Sequence, residues 1–327
     1  MRSSAPSRTT GGIHPRPLAV PTFCLIHHEG VTTMLAGQLI NGIVSGAMYA
    51  LVAIGFSLVI GVLDKLNFAH PEVFMFGGFV ALVSITVMPL PLAFLVVFLV
   101  GGVMGLMTEF IAFRRFGSAD AKITAALASM ALGLVVTDLV HKWWGTEPMP
   151  VTLPPGWLQE SQQILGVSVL NLQFIILGVT CTLMALLHLV LQRTSMGRQI
   201  RALAESSTSA SLLGINVKRV TQSVFFISSA LAAVGGLLLA LRGGAASSDI
   251  GLTFGLKALA IMAIGGLGDL RGAVVGGLLI GVLEALMFLL GLGRLVEVTV
   301  WVAMIAVLMF RPGGLFGGGL HNQEQRV

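Results

Sequence analysis

The stretch Gly272–Leu290, GAVVGGLLIGVLEALMFLL, is an apolar run long enough to cross a hydrocarbon core, interrupted by one carboxylate, Glu284. Barrel strands alternate apolar and polar positions over short segments, so a continuous run of this kind must satisfy its backbone within a helix. Working outward, similar windows recur at Leu35–Leu63, Pro71–Val87, Leu92–Phe113, Ile123–Val140, Leu170–Leu191, Gln222–Leu241, Phe254–Leu267 and Leu295–Phe310. With 10% charged residues and a mean hydropathy of +0.94, the chain is no soluble α/β domain. The expected fold is all-α, a polytopic transmembrane helical bundle of eight to nine membrane segments. Phe254–Leu267 is shorter than a normal span and ends in Gly265-Gly266-Leu267-Gly268. It reads either as a ninth crossing or as a re-entrant or broken helix buried in protein.

The net charge of +5 reads as topology rather than nucleic-acid binding. If Arg193–Arg219 is cytoplasmic and the segments alternate, the inside set is Lys65, Arg114, Arg115, Lys122, Arg193, Arg198, Arg201, Lys218, Arg219, Arg271, Arg311 and Arg326. The outside set, apart from the N-terminal tail, is only Lys142, Arg242, Lys257 and Arg294. This places the C-terminus in the cytoplasm and the Trp143–Gln163 loop in the periplasm. Residues 1–33 carry Arg2, Arg8 and Arg16 on what would be the periplasmic side and lack a signal-peptide core. They are expected to be a disordered extension, with Met34 the natural start. Cys24 and Cys181 fit neither a metal site nor a disulfide framework.

Catalytic signals are sparse. No Gly precedes any Lys, so there is no phosphate-binding P-loop. His70-Pro71-Glu72 mimics a deaminase fragment without the P-C-x-x-C that should follow. No enzyme activity and no cofactor are expected. The pairs Gly42/Gly46, Gly101/Gly105, Gly272/Gly276 and Gly277/Gly281 suit close helix packing in lipid, whereas Gly265, Gly266 and Gly268 flank a break and could line a cavity. The polar break Asp64–Glu72 contains Asn67, His70 and Glu72. It reads equally as a cytoplasmic hairpin with a proline-started helix or as part of a pathway or gate. Both breaks lead into helices with paired glycines, Gly77-Gly78 and Gly276-Gly277, a likeness that the abundance of glycine accounts for better than a duplication does. Glu284 should face the bundle interior, as an interhelical hydrogen-bond partner or a proton-coupling group. Glu109, Asp138, His141, His188 and Glu297 lie near segment ends and read as interfacial.

Gly197–Val220, GRQIRALAESSTSASLLGINVKRV, is a polar helical interruption between two lipid-grade segments. Arg198, Arg201 and Glu205 share one side of a helical plot. Ile200, Leu203 and Ala204 form an apolar strip suited to docking, and Leu212-Leu213-Gly214-Ile215 ends the element. A helix lying on the inner leaflet is the alternative.

At these residues the sequence resembles the membrane permease subunits of bacterial ABC importers for branched-chain amino acids, of the LivH type. The resemblance runs from about Leu39 to Phe316. It rests on Leu39-Ile40-Asn41-Gly42, the run Tyr49–Gly55, Asn67-Phe68-Ala69-His70, Gly197-Arg198 with Ala202 and Glu205, Leu213-Gly214-Ile215, the run Gly265–Gly277, and Arg311-Pro312-Gly-Gly-Leu-Phe-Gly. It implies that the loop is an EAA-type coupling element, with Arg198, Arg201, Ala204, Glu205, Leu213 and Gly214 as candidate contacts for separate ABC ATP-binding subunits. Further implied partners are a paralogous permease subunit forming a heterodimer and a periplasmic substrate-binding protein, all at the lipid bilayer of a bacterial inner membrane. Pathway or gate candidates are Asn67, His70, Glu72, Gly265, Gly266, Gly268 and Glu284. One departure stands out: Pro71 replaces the family glycine of N-F-A-H-G-E.

The domain organisation is therefore an extension at 1–33, a permease domain at 34–316 containing the coupling loop 193–221, and a cytoplasmic tail at 317–327. Alternative readings are a permease for urea, short amides or other small amino-acid-like solutes, and an ion-coupled secondary transporter working through Glu284.

Overall fold

The computed structural model describes residues 23–116, 121–152, 156–164 and 167–317. Among them, eight helices are long and apolar enough to cross a membrane. The long helices are α1 (Phe23–Leu63), α2 (His70–Val87), α3 (Leu90–Thr108), α4 (Lys122–Trp144), α5 (Asn171–Arg193), α8 (Val217–Gly243), α9 (Asp249–Gly265), α10 (Leu270–Leu289) and α11 (Val296–Phe310). Helix α3 continues into one π-helical stretch, Glu109–Phe113. Two short helices, α6 (Ser195–Glu205) and α7 (Ser207–Leu212), lie at one end of the bundle. Near the opposite end, β1 (Met149–Pro150) pairs antiparallel with β4 (Ala245–Ala246), and β2 (Ser161–Ile164) pairs with β3 (Val167–Leu170).

The predicted segments coincide with these helices apart from small shifts at their ends. Two differences matter. The short seventh segment is one unbroken 17-residue helix, α9, that begins at Asp249 rather than Phe254. At 1.5 Å per residue it is about 25 Å long, slightly under a ~30 Å hydrocarbon core. Helix α1 already runs from Phe23, inside the stretch read as a disordered extension, while its apolar span starts at Met34.

Helix α1 is the axis of the molecule: every residue from Gly46 to Ile60 is buried. In lipid there is no hydrophobic drive between apolar helices, so such burial depends on close van der Waals approach. Gly42 and Gly46 of α1 supply it by facing Gly281 and Gly277 of α10. A Cβ on Gly46 would lie 2.8 Å from the Gly277 carbonyl oxygen, and one on Gly277 would lie 2.6 Å from the Ala50 nitrogen. Gly101 and Gly105 bring α3 onto Ser229 of α8 in the same manner.

The break after α9 is closed by the C-terminal segment. Leu315 N–H donates to the Ile264 carbonyl at 2.8 Å and Phe316 N–H to that of Gly265 at 2.9 Å, which satisfies carbonyls that a helix end leaves open. Asp269 then caps α10, its Oδ1 accepting from Arg271 N at 2.7 Å and Gly272 N at 3.2 Å.

Replacing Gly277 by Val should force α1 and α10 apart at an overpacking cost of at least ~1–3 kcal/mol, read as a lower thermal midpoint in detergent. Gly178→Ala, at a position with nothing within 4 Å, should leave that midpoint the same or higher.

Candidate functional site

The polar break after α1 climbs into the bundle rather than turning at its surface. Asp64, in a left-handed conformation (φ 51°), ends α1 and forms an ion pair with Lys122 at the start of α4. Lys65 Nζ donates to the Phe116 carbonyl at 2.6 Å. Burial, and secondarily the neighbouring Lys122, hold the Lys65 ammonium below the ordinary lysine range. From there the chain ascends α4. Phe68 N–H donates to Ser129 Oγ at 2.9 Å, Ala69 lies against Gly133, and Thr137 Oγ1 donates to Glu72 Oε2 at 2.8 Å. Lys122 and Thr137 are about 22 Å apart along a helix. The surface-hairpin reading is thus replaced by a buried, re-entrant one.

At the top of this climb Asn67 Oδ1 accepts from Ala69 N at 3.1 Å, while its Nδ2 has no partner among the described residues. The His70 ring is fully buried against Phe56, with centroids 4.4 Å apart. Neither of its nitrogens closes a well-formed hydrogen bond, although the Val52 carbonyl lies beside it. Pro71 sits in the first turn of α2, where its missing N–H costs nothing, and its ring fills the place of a Cβ on Gly255 of α9. The neighbouring Gly251 packs against Glu72.

A second polar cluster lies across α1 and was only partly foreseen. Glu284 faces the interior, as expected, and is 6% exposed. Its Oε2 accepts from Tyr49 Oη at 2.7 Å, and its Oε1 pairs with Lys257 Nζ at 3.0 Å. Lys257, assigned to the periplasmic side by charge counting, instead lies within α9, its ammonium 5.8 Å from the Tyr49 ring centroid and 5.5 Å from that of Phe254. One α1 turn away, Ser45 Oγ accepts from Arg242 Nη1, and the Asn41 carbonyl accepts from Nη2 at 3.3 Å. Gln173 of α5 donates to Asn41 Oδ1 at 2.6 Å. The missed signal is the i, i+4 spacing of Asn41, Ser45 and Tyr49, which puts three polar groups on one face of an apolar helix.

The α6–α7 end is built from caps. Thr194 Oγ1 accepts from Gly197 N at 3.1 Å, Ser206 Oγ from Ser209 N at 3.2 Å, and Asn216 Oδ1 from Arg219 N at 3.1 Å. Gly214 turns the chain at φ +79°. Arg201 donates to the Leu191 carbonyl, tying α6 to the end of α5. Ile200 and Leu203, expected to dock outward, are buried in the chain's own bundle. The apolar surface left for a partner is Leu212 and Leu213, 83% and 78% exposed, with Arg198 and Glu205 also exposed and Ala204 half-buried. A cavity of about 560 Å³ lies beneath, lined by Lys65, Glu109, Arg114, Ala204, Glu205 and Lys218. Glu109, read as interfacial, is 3% exposed in the π turn, with Gln222 Nε2 3.5 Å away. Gly265, Gly266 and Gly268 serve the seam between α9, α10 and the C-terminal segment. Gly265 meets Gly272, Gly266 meets Gly313 and Gly317, and Gly268 meets Gly61.

Residues 38–310 match the family described as branched-chain amino acid transport system / permease component. The chain belongs to this permease family. It is 34% identical to the high-affinity branched-chain amino acid transport system permease protein BraD of Pseudomonas aeruginosa, over 86% of this chain and 95% of that one. The corresponding LivH proteins of Salmonella typhimurium and Escherichia coli are 32% and 31% identical, each match covering 86% of this chain and 94% of theirs. The protein is thus a multi-pass membrane transport permease.

In this permease the Pro71 ring is accommodated by Gly255. Gly255→Ala should clash with the Pro71 ring and lower the thermal midpoint. Adding Pro71→Gly should recover part of that loss, a non-additivity measured by a double-mutant cycle.

Proposed function

We propose that this chain is the membrane-embedded subunit of an ATP-driven importer and passes branched-chain or related hydrophobic amino acids inward from a periplasmic binding protein. The supporting relatives are named for branched-chain amino acid transport and span nearly their whole length in the match. The α6–α7 end faces the cytoplasm in this reading, which agrees with the concentration of Lys and Arg there. ATP is hydrolysed on separate ATP-binding subunits, and a paralogous permease completes the membrane pair.

The observation that carries the coupling role is the exposed Leu212-Leu213 turn, beside Glu205 and above the charged cavity. Two adjacent leucines this exposed at an aqueous end, on an element fixed by three caps, suit insertion into a groove of a partner. Closure of that partner pushes on α6, and Gly197 and Arg201 pass the movement to α5, while the cavity wall passes it to the Asp64–Glu72 break and the π turn. The break, with Asn67, His70 and Glu72 inside the bundle, is the gate. Solute selection among amino acids, urea or amides rests largely with the binding protein. The ion pair of Glu284 with Lys257 and the hydrogen bond it accepts from Tyr49 support the polar-partner reading of this carboxylate over the ion-coupled one.

Leu212→Asp combined with Leu213→Asp should weaken capture of the ATP-binding subunits tenfold or more, since each buried leucine is worth about 1.5–3 kcal/mol. Glu205→Lys and deletion of 206–211 should uncouple uptake with membrane insertion retained. Undiminished capture and uptake in all three variants would remove the coupling role.

A further inference from the structure

Arg242 is anomalous among the charges of the bundle. It lies in the last turn of α8, half-buried, and its hydrogen bonds go to a hydroxyl and a backbone carbonyl; no carboxylate pairs with it among the described residues. A guanidinium in this setting, with fixed fork geometry and weak hydration, is suited to a carboxylate. It borders a cavity of about 390 Å³, walled by Val151, Leu158, Leu172 and Leu241, within the ~300–1,000 Å³ usual for ligand pockets.

Inward from Arg242 along the same face of α1 comes Tyr49 and, bonded to it, Glu284. Ser45 and Tyr49 are one turn apart, about 6 Å at the backbone. Each holds one charged group, Arg242 on the first and Glu284 on the second. This face of α1 therefore holds a positive and a negative group in series, with aromatic rings beside the negative one. The Tyr49 and Phe254 rings are 5.6 Å apart, and Phe254 stacks on Phe74 at 5.7 Å. Such faces attract an ammonium, as they do that of Lys257.

We propose that Arg242 and Glu284, arrayed along the Asn41–Ser45–Tyr49 face of α1, recognise the two charges of a zwitterionic amino acid. The guanidinium takes the α-carboxylate, the Glu284 carboxylate takes the α-ammonium, and Lys257 holds Glu284 between passages. This rests on the importer reading above and names the residues and solute charges it uses. Displaced from Glu284, the Lys257 ammonium keeps the Tyr49 and Phe254 ring faces, 5.8 and 5.5 Å from their centroids, as its neighbours. Arg242, with Asn41 and Gln173 behind it, is the first contact from the cavity.

The test uses the complete importer in proteoliposomes, with leucine supplied on the binding protein and both uptake and ATP hydrolysis measured. Arg242→Gln and Glu284→Gln should each lower the leucine moved per ATP by roughly tenfold or more, the effect of losing a charge-assisted hydrogen bond. Tyr49→Phe, which removes only the hydroxyl that orients Glu284, should lower it by a few-fold and guards against a fold defect in the charge variants. Lys257→Glu combined with Glu284→Lys rebuilds an ion pair of opposite polarity and should remain low. Recovery of the ratio in that exchange, or an unchanged ratio in both Tyr49→Phe and Glu284→Gln, would overturn the proposal and leave the pair a structural tie. Absence of ATP-dependent uptake by the unsubstituted complex would instead sink the importer reading itself.

Discussion

The backbone contact between Gly42/Gly46 of α1 and Gly277/Gly281 of α10 sets the terms for everything else in this permease. It removes side chains from the seam, so α1 can be buried on every side from Gly46 to Ile60. A helix buried that way can carry Asn41, Ser45 and Tyr49 on one face without exposing them to acyl chains. The charged partners from α8, α9 and α10 then have somewhere to converge. In a bilayer, where an unmatched polar group is costly, close packing and internal polarity are thus two sides of one arrangement.

The helices themselves are plain in the sequence because each apolar run is a local property, and the ends differ mainly where α1, α8 and α9 begin earlier than their apolar runs. Partnership was not legible. Tyr49 and Glu284 are 235 positions apart and Arg242 and Ser45 197 apart, and no local pattern pairs them. Charge counting put Lys257 outside because it treats each cation as a loop residue, whereas a paired lysine can sit within a helix. The strip Ile200, Leu203 and Ala204 was rightly recognised as an apolar face, but its direction was not, since amphipathicity fixes a face and leaves open what covers it. Leu212 and Leu213 face outward because Gly214 ends the element before they can turn back.

Pro71 shows how a proline is seated at a tightly packed helix start. The residue falls where a helix needs no N–H, and its ring occupies the space beside Gly255. The first turn of α2 is stiff there, since proline fixes φ at about −65°.

The closure of α9 by Leu315 and Phe316 has a consequence in time as well as in space. These donors follow α10 and α11 in the chain, so the carbonyls of Ile264 and Gly265 stay unmet until both of those helices have been synthesised. The seam between α9 and α10, and with it the seat of Lys257 and Glu284, can reach its final form only after the stretch holding Leu315 and Phe316 has been made.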